Sequence, residues 1–333
     1  MTVLPSPGPE LSVIIPTRDR REVLMETLRR LRAHAASAPI EVIVVDDGSK
    51  DESSAAAESL QPAPWPLAVL RQEGNGPAAA RNRGIAAASA PACLFIGDDS
   101  LPTEELIDRH VEFHRAHSES TDAVLGLVVP APPLDASTLQ WWLHEDGAQF
   151  GYAALVPGQT APPSCFWTSN VSVKLTLLRE AGGFDEGFPG AACEDAELGF
   201  RLARAGMTLH YDPRALAEHF HPTDLSRVLR RMRAIGVAYR RLHELAPEAV
   251  QPSRPGAKHK VKAAGLTLAM LPGRPGRARE AAWRFLCDET LREAYWGDGL
   301  PAGSSPRIGR SLARLALADP AAMPPAPRAP GPS

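Results

Sequence analysis

Apolar positions in the first hundred residues come in short runs separated by stretches of helical spacing. Leu11-Ser12-Val13-Ile14-Ile15-Pro16 is too short for a helix and reads as a buried strand that the proline closes. A polar turn, Thr17-Arg18-Asp19-Arg20, leads into residues 21–35, where Val23, Leu24, Leu28 and Leu31 recur on one helical face. Glu41–Val45 is a second, β-branched strand ending in Asp46-Asp47-Gly48-Ser49. A helix over Ser49–Leu60, a strand over Leu67–Leu70, a Gly-Asn-Gly-Pro loop and an alanine-rich helix over Ala78–Ala88 follow. The fourth strand, Cys93–Ile96, runs into Gly97 and two adjacent carboxylates, Asp98 and Asp99. This alternation predicts an α/β fold with a doubly wound, parallel sheet.

Beyond Pro102 the pattern predicts a helix over Thr103–Ala116, with Thr103 as its cap, and a strand over Ala123–Val129. Residues 130–163 are interrupted by Pro and Gly and hold Trp141, Trp142, Phe150 and Tyr152. Long insertions of this kind form lids or binding loops, although the tandem tryptophans read as packing rather than as a sugar platform. Strand Ser169–Val173, a short helix over Lys174–Ala181, a turn at Phe184–Phe188 and a helix over Glu194–Ala205 come next. Met207–Tyr211 and Ala215–His219 read as two closing strands, and Asp224–Leu245 as an amphipathic, arginine-rich helix. Past Gln251 two poorer helical segments lie near 258–271 and 277–295. The reading divides the chain into a disordered leader (1–10), a main α/β domain (11–245), a helical extension (246–300) and a low-complexity Pro/Ala/Arg tail (301–333).

Composition narrows the class. A net charge of −3 over 333 residues argues against nucleic acid as a partner. The four cysteines are scattered, without metal-ligand spacing, and suit a reducing compartment. The first ten residues lack the basic and apolar regions of a signal peptide, and no apolar run reaches the roughly 18–20 residues of a membrane span. The expectation is a cytoplasmic protein. The arginines of 224–245 allow two readings: a solvated face, which we prefer, or a weak peripheral contact with anionic lipid at the inner face of the membrane.

Candidate chemistry lies at the strand ends. Asp98 and Asp99 cannot be buried unpaired, so they require a cation, a donor-rich ligand or water; the blander alternative is a cap and solvated turn. Asp46 and Asp47 close another strand, Glu194 and Asp195 open a helix, and His219 and His221 end the last strand. In an open sheet of parallel strands these ends share one rim, where ligands bind. Several carboxylates and a histidine there suit Mg²⁺ or Mn²⁺, which would in turn hold a diphosphate. Arg81 or Arg83 would add charge for a phosphate.

The segments VIIPTRDR, VIVVDDGSKD, GPAAARNRGIAAA, LFIGDDS, TSNVSVKLTLLREAGGFDEGF, CEDAELGFRLARAG and AEHFHP, in this order, resemble family 2 glycosyltransferases over roughly residues 11–240. The resemblance implies a GT-A fold, with a mixed, mostly parallel sheet flanked by helices and a helical C-terminal extension. It implies an inverting glycosyl transfer by metal-assisted single displacement, from a UDP-, GDP- or dTDP-linked sugar to the hydroxyl of a glycan, lipid-linked or small-molecule acceptor. Pro16, Thr17 and Arg18 would line the nucleotide, and Asp46 or Asp47 would contact the base. Arg81 would lie near base and phosphates, with Asp98 beside the ribose or the metal shell and Glu194 on the donor side. Asp99 and His219 would ligate Mn²⁺ or Mg²⁺, with His221 as the alternative histidine, and Asp195 would be the catalytic base. Gly97 is a departure, because many members carry a further acid near it. A sugar-phosphate nucleotidyltransferase, or a non-catalytic nucleotide-sugar-binding domain on the same fold, are the alternatives. The first would normally carry a Gly-rich basic loop after the first strand, of which PTRDRR is a poor version; the second would be expected to lose Asp99 or Asp195.

Overall fold

A computed structural model describes residues 8–35, 38–145, 149–249 and 276–296. The expected leader falls largely, and the 258–271 helix and C-terminal tail wholly, outside the described residues. The four short apolar runs form β1 (Leu11–Thr17), β2 (Ile40–Asp46), β3 (Leu67–Arg71) and β4 (Ala92–Ile96). They pair in parallel in the order β3-β2-β1-β4. Their crossovers are α1 (Arg21–His34), α2 (Ser53–Glu58) and α3 (Pro77–Ala87). Every residue of β4 is buried, as expected for a strand covered on both faces.

After β4 the chain forms β5 (Ser100–Pro102), α4 (Leu106–Ala116), β6 (Asp122–Pro130), α5 (Thr138–Glu145), β7 (Asn170–Lys174), α6 (Leu175–Glu180), α7 (Glu194–Arg204) and β8 (Thr208–His219). The sheet continues from β4 through β7, β6, β8 and β5. β7 is antiparallel to both β4 and β6, and β8 is parallel to β6. Two reversals restore direction, so β8 runs the same way as β1, β2 and β4, and its C-terminal end lies on their C-terminal rim. That is why His219, remote in sequence, shares the rim with Asp98 and Asp99.

Two expectations are corrected. Met207–Tyr211 and Ala215–His219 are not separate strands: β8 is continuous over 208–219, with an irregularity that places Gly126 opposite Asp212 and Leu127 opposite Leu216. Asn170 stitches the gap, its Nδ2 donating to Leu127 O (3.1 Å) and Ala215 O (2.8 Å). Thr103 does not cap α4. Its hydroxyl donates to Leu216 O at 2.7 Å, and the helix begins three residues later.

The chain divides into two compact units, residues 1–131 with 155–220, and residues 132–154 with 221–333. In the second, α5, α8 (Leu225–Leu245) and α9 (Gly276–Trp296) pack around Leu139, Trp142, Val228, Met232, Trp283 and Leu286. Trp142 meets Trp283 with ring centroids 5.6 Å apart, so it is a packing residue. Asp224 caps α8, accepting from Arg227 N at 2.8 Å. Arg227, Arg230, Arg231 and Arg233 are exposed on α8. No described helix is long and apolar enough to cross a membrane.

Candidate active site

The sheet unit carries the predicted donor residues, the candidate base Asp195, and Asp99 and His219 of the candidate metal set; His221, the alternative histidine, falls in the second unit. Asp98 and Asp99 lie just past β4 and are 5 % and 6 % exposed, so they are neither a solvated turn nor a simple cap. Thr17 Oγ1 donates to Asp98 Oδ2 at 2.8 Å, and Thr27 Oγ1 to the Asp98 carbonyl at 2.7 Å. The cation these acids require is Arg20, a residue of the polar turn after β1. One guanidinium nitrogen is 3.1 Å from Asp98 Oδ1 and the other 2.8 Å from Asp99 Oδ2. Burial, then repulsion by Asp99, pushes the Asp98 carboxyl above its usual range, against the pull of Arg20 and Thr17. For Arg20 itself burial disfavours the charge, but the two carboxylates outweigh it and its pKa rises. The legible signal was the imbalance itself: two acids in need of a cation, and two arginines in the turn after β1.

His219 ends β8 opposite Ser100 of β5 and is buried. Its Nε2 is 3.4 Å from Asp99 Oδ2. One carboxylate oxygen and one imidazole nitrogen within reach of each other fit a borderline-hard divalent cation such as Mn²⁺. Gly97 also finds its reason. A Cβ there would stand 2.6 Å from Asp99 Oδ1 and 3.2 Å from Ser100 Oγ, so a side chain would displace the carboxylate.

Asp46 and Asp47, equivalent in the sequence, are separated by the structure. Asp46 is turned into its own loop, accepting from Ser49 N at 2.7 Å and from the Ser54 hydroxyl. Burial works against its charge, but these hydrogen bonds prevail and hold its pKa low. Asp47 organises the segment before α3, accepting from Gln72 Nε2 (2.8 Å), Asn75 N (2.7 Å) and Gly76 N (3.0 Å). The exposed Arg18 guanidinium is 3.7 Å from its Oδ2. Pro16 sits within β1, opposite Val45.

Arg81 projects from α3, and its Nη1 donates to Glu194 Oε1 at 2.9 Å. Its guanidinium lies 5.4 Å from the ring centre of Phe184, which meets Phe95 of β4 edge-on at 5.3 Å. The buried Arg81 Nε meets no hydrogen-bond partner among the described residues. Glu194 is the first residue of α7, preceded by Cys193 in the left-handed region (φ +69°). Asp195 follows, half-buried, its Oδ1 accepting from Ala196 N at 2.8 Å. Carboxylates in a helix's first turn are favoured by its dipole, and Asp195 lies in the first turn of α7. Arg83 lies exposed on α3.

Asn82 was not singled out from the sequence, yet it docks the Gly-Gly-Phe-Asp segment onto α3. Its Oδ1 accepts from Phe184 N at 2.7 Å and its Nδ2 donates to Phe184 O at 2.9 Å. Gly183 is required there: it has φ +72°, and a Cβ would lie 2.5 Å from Asn82 Oδ1. Arg201 of α7 grips Glu197 through two nitrogens, at 3.0 and 2.6 Å, and donates to Gly183 O at 2.7 Å. The start of α7, and Asp195 with it, is thus held from both sides.

Two family models match. One, described as glycosyl transferase family 2, covers residues 12–140; the other, glycosyl transferase family group 2, covers residues 96–269, more than half of the chain. The chain belongs to glycosyltransferase family 2. Among curated relatives, this family 2 chain is 32 % identical over 235 residues to validoxylamine A glucosyltransferase of Streptomyces hygroscopicus subsp. limoneus, covering 62 % of this chain and 52 % of the relative. It is 28 % identical over 232 residues to pre-mycofactocin glycosyltransferase of Mycobacterium tuberculosis, covering 66 % and 45 %. The chain thus spans about half the length of these relatives. The solved mannosyltransferase PcManGT of Pyrobaculum calidifontis, in complex with GDP-Man and Mn²⁺, superposes with a TM-score of 0.58 at 19 % identity, over 88 % of this chain and 89 % of that one. That likeness carries the fold, GT-A, as the motifs had implied.

Proposed function

We propose that this chain is an inverting glycosyltransferase that moves a sugar from a nucleotide-diphospho donor to an acceptor hydroxyl. The observation that carries the reading is the pair Asp98 and Asp99, two buried carboxylates on the C-terminal rim of the parallel strands, with His219 beside Asp99. The solved mannosyltransferase binds GDP-Man and Mn²⁺, which supports a donor and a divalent cation of that class here. A UDP-, GDP- or dTDP-linked sugar would meet Thr17 and Arg18 with its nucleotide and Asp47 with its base, since Asp46 is committed to Ser49 and Ser54. Arg81, with its Nε still to be satisfied, would donate to the diphosphate.

Asp99 and His219 would hold Mn²⁺ or Mg²⁺, which when bound supplies positive charge against the departing nucleoside diphosphate. Asp98 would sit beside the ribose or the metal shell, and Glu194 would keep Arg81 oriented toward the donor. Asp195 would accept the proton of the acceptor hydroxyl as that oxygen attacks the anomeric carbon from the face opposite the leaving group. A single displacement needs one base and no covalent intermediate. The acceptor is a glycan, a lipid-linked sugar or a small molecule. The exposed arginines of α8 are read as a solvated face, and liposome flotation with anionic lipid would reveal a membrane contact.

Hydrolysis and transfer assayed over a panel of nucleotide sugars, with Mn²⁺ or Mg²⁺, tests the reading. Metal-dependent turnover of at least one donor is expected. Release of pyrophosphate from a nucleoside triphosphate and a sugar phosphate, with no turnover of any nucleotide sugar, would replace it by nucleotidyl transfer.

A further inference from the structure

Arg20 and His219 converge on one oxygen atom. The guanidinium of Arg20 is 2.8 Å from Asp99 Oδ2, and His219 Nε2 is 3.4 Å from the same atom. The other carboxylate oxygen, Oδ1, is the one that a Cβ at Gly97 would approach, at 2.6 Å. A divalent cation held between His219 and the Asp99 oxygen paired with it would share the oxygen that Arg20 already occupies. Two positive groups cannot share one partly desolvated oxygen at low cost. Arg20 also bonds Asp98 at 3.1 Å, which leaves it a second anchor, and its side chain is 34 % exposed, which leaves it a path outward.

We propose that Arg20 is a resident counter-ion that competes with the divalent cation for Asp99, and that the donor's diphosphate relieves the competition by giving the guanidinium a new anionic partner. The proposal rests on the metal-dependent reading above. Its consequence is thermodynamic coupling: metal binds weakly to the free enzyme and tightly together with a nucleoside diphosphate, and by linkage the reverse also holds. Arg20 is a positioning residue here. It acts on the acid pair and on the diphosphate, and it keeps Asp98 and Asp99 from facing each other uncompensated when no cation is bound.

Mn²⁺ binding to the full chain, followed by loss of the free-ion electron paramagnetic resonance signal beyond that in protein-free Mn²⁺–nucleotide mixtures, tests this without any turnover. Wild type is expected to bind Mn²⁺ at least about tenfold more tightly in the presence of UDP, GDP or dTDP. Arg20→Gln is expected to bind Mn²⁺ alone about tenfold more tightly than wild type and to lose most of the nucleotide enhancement. Arg20→Lys, which keeps one charge but loses the fork, should fall between them and guards against misfolding of the neutral variant. A folded Arg20→Gln that binds Mn²⁺ alone no better than wild type overturns the competition. An Asp99→Asn control separates the two readings: undiminished Mn²⁺ binding there removes the metal site itself, whereas Asp99-dependent binding that is indifferent to Arg20 removes only this proposal.

Discussion

Arg81 and Glu194, 113 residues apart in the chain, are joined by a 2.9 Å hydrogen-bonded ion pair whose side chains are 11 % and 4 % exposed. The pair ties α3 to the first residue of α7 and so fixes the position of Asp195 beside it. Removing one partner strands a buried charge. Arg81→Met should destabilise the protein by about 3 kcal/mol, read as a lowered urea midpoint. Arg81→Met with Glu194→Gln should recover part of the loss, and a double variant no more stable than the single one would show that the pair is not coupled.

Asp195→Asn keeps the shape of the side chain and removes its basicity. Turnover should fall by about 10²–10⁴, while the Kd for nucleoside diphosphate stays within about twofold, since the residue acts on the acceptor side. Steady-state kinetics with calorimetric titration of the nucleotide measures both. Near wild-type turnover would move the base elsewhere.

Asp99→Ala and His219→Ala should each abolish the Mn²⁺-dependent part of nucleoside diphosphate binding, measured by calorimetry with Mn²⁺ and with EDTA. The metal-independent part should remain, carried by Arg81 and the Asp47 loop. A variant that keeps the full difference between Mn²⁺ and EDTA is not a ligand.

Gly97→Asp would add an acid beside the pair, yet it should weaken Mn²⁺ binding. The new Cβ would come within 2.6 Å of Asp99 Oδ1 and displace the carboxylate from its place beside His219 and Arg20. Gly97→Ala should do the same without adding charge, and the two variants compared by Mn²⁺ titration separate the steric effect from the electrostatic one. Tighter binding in either would show that Asp99 can give way at no cost.

Acid should unfold the sheet unit through two histidines, His110 buried and His114 half-buried. His110 lies between Asn170 Oδ1 (2.9 Å, from Nε2) and Ser172 Oγ (2.8 Å, from Nδ1), and His114 Nε2 is 2.8 Å from the same hydroxyl. With Asn170 Nδ2 already donating to Leu127 O and Ala215 O, the Asn170 Oδ1 accepts from His110 Nε2, and the single Ser172 hydroxyl proton can serve only one of the two rings. Burial lowers their pKa values to about 4 and about 2. The folded values lie below the unfolded one, so this stability is complete above about pH 6.5 and drains as pH falls toward 4. Each ring should contribute a slope of about 1.4 kcal/mol per pH unit once the unfolded histidine is protonated. Denaturant midpoints from pH 7 to 4.5 measure it, and His114→Phe should flatten the curve.

Much of the site was legible because strand ends are local features. Short apolar runs set between stretches of 3.6-residue spacing place β1, β2 and β4, their C-terminal residues are read directly, and the acids at 46, 47, 98 and 99 and the Glu-Asp pair at 194 and 195 stand out as polar groups adjoining apolar runs. What stayed hidden depends on pairing across long separations. The continuity of β8 across Pro213 and the docking of Gly183 by Asn82 are settled by partners about 40 to 100 residues away.

By itself, then, the chain's sequence determined the order of elements, the parallel half of the sheet and the residues available at its rim, because hydrophobic spacing and strand-closing residues act over a few positions. Only the tertiary structure decided how those residues divide the work. Asp46 and Asp47 are chemically identical neighbours, yet one is spent on Ser49 and Ser54 and the other faces the Asn75 loop. Arg18 and Arg20 are likewise neighbours in one turn, yet only Arg20 bridges Asp98 and Asp99. A buried charge must find its partner in space, and the sequence does not record those distances.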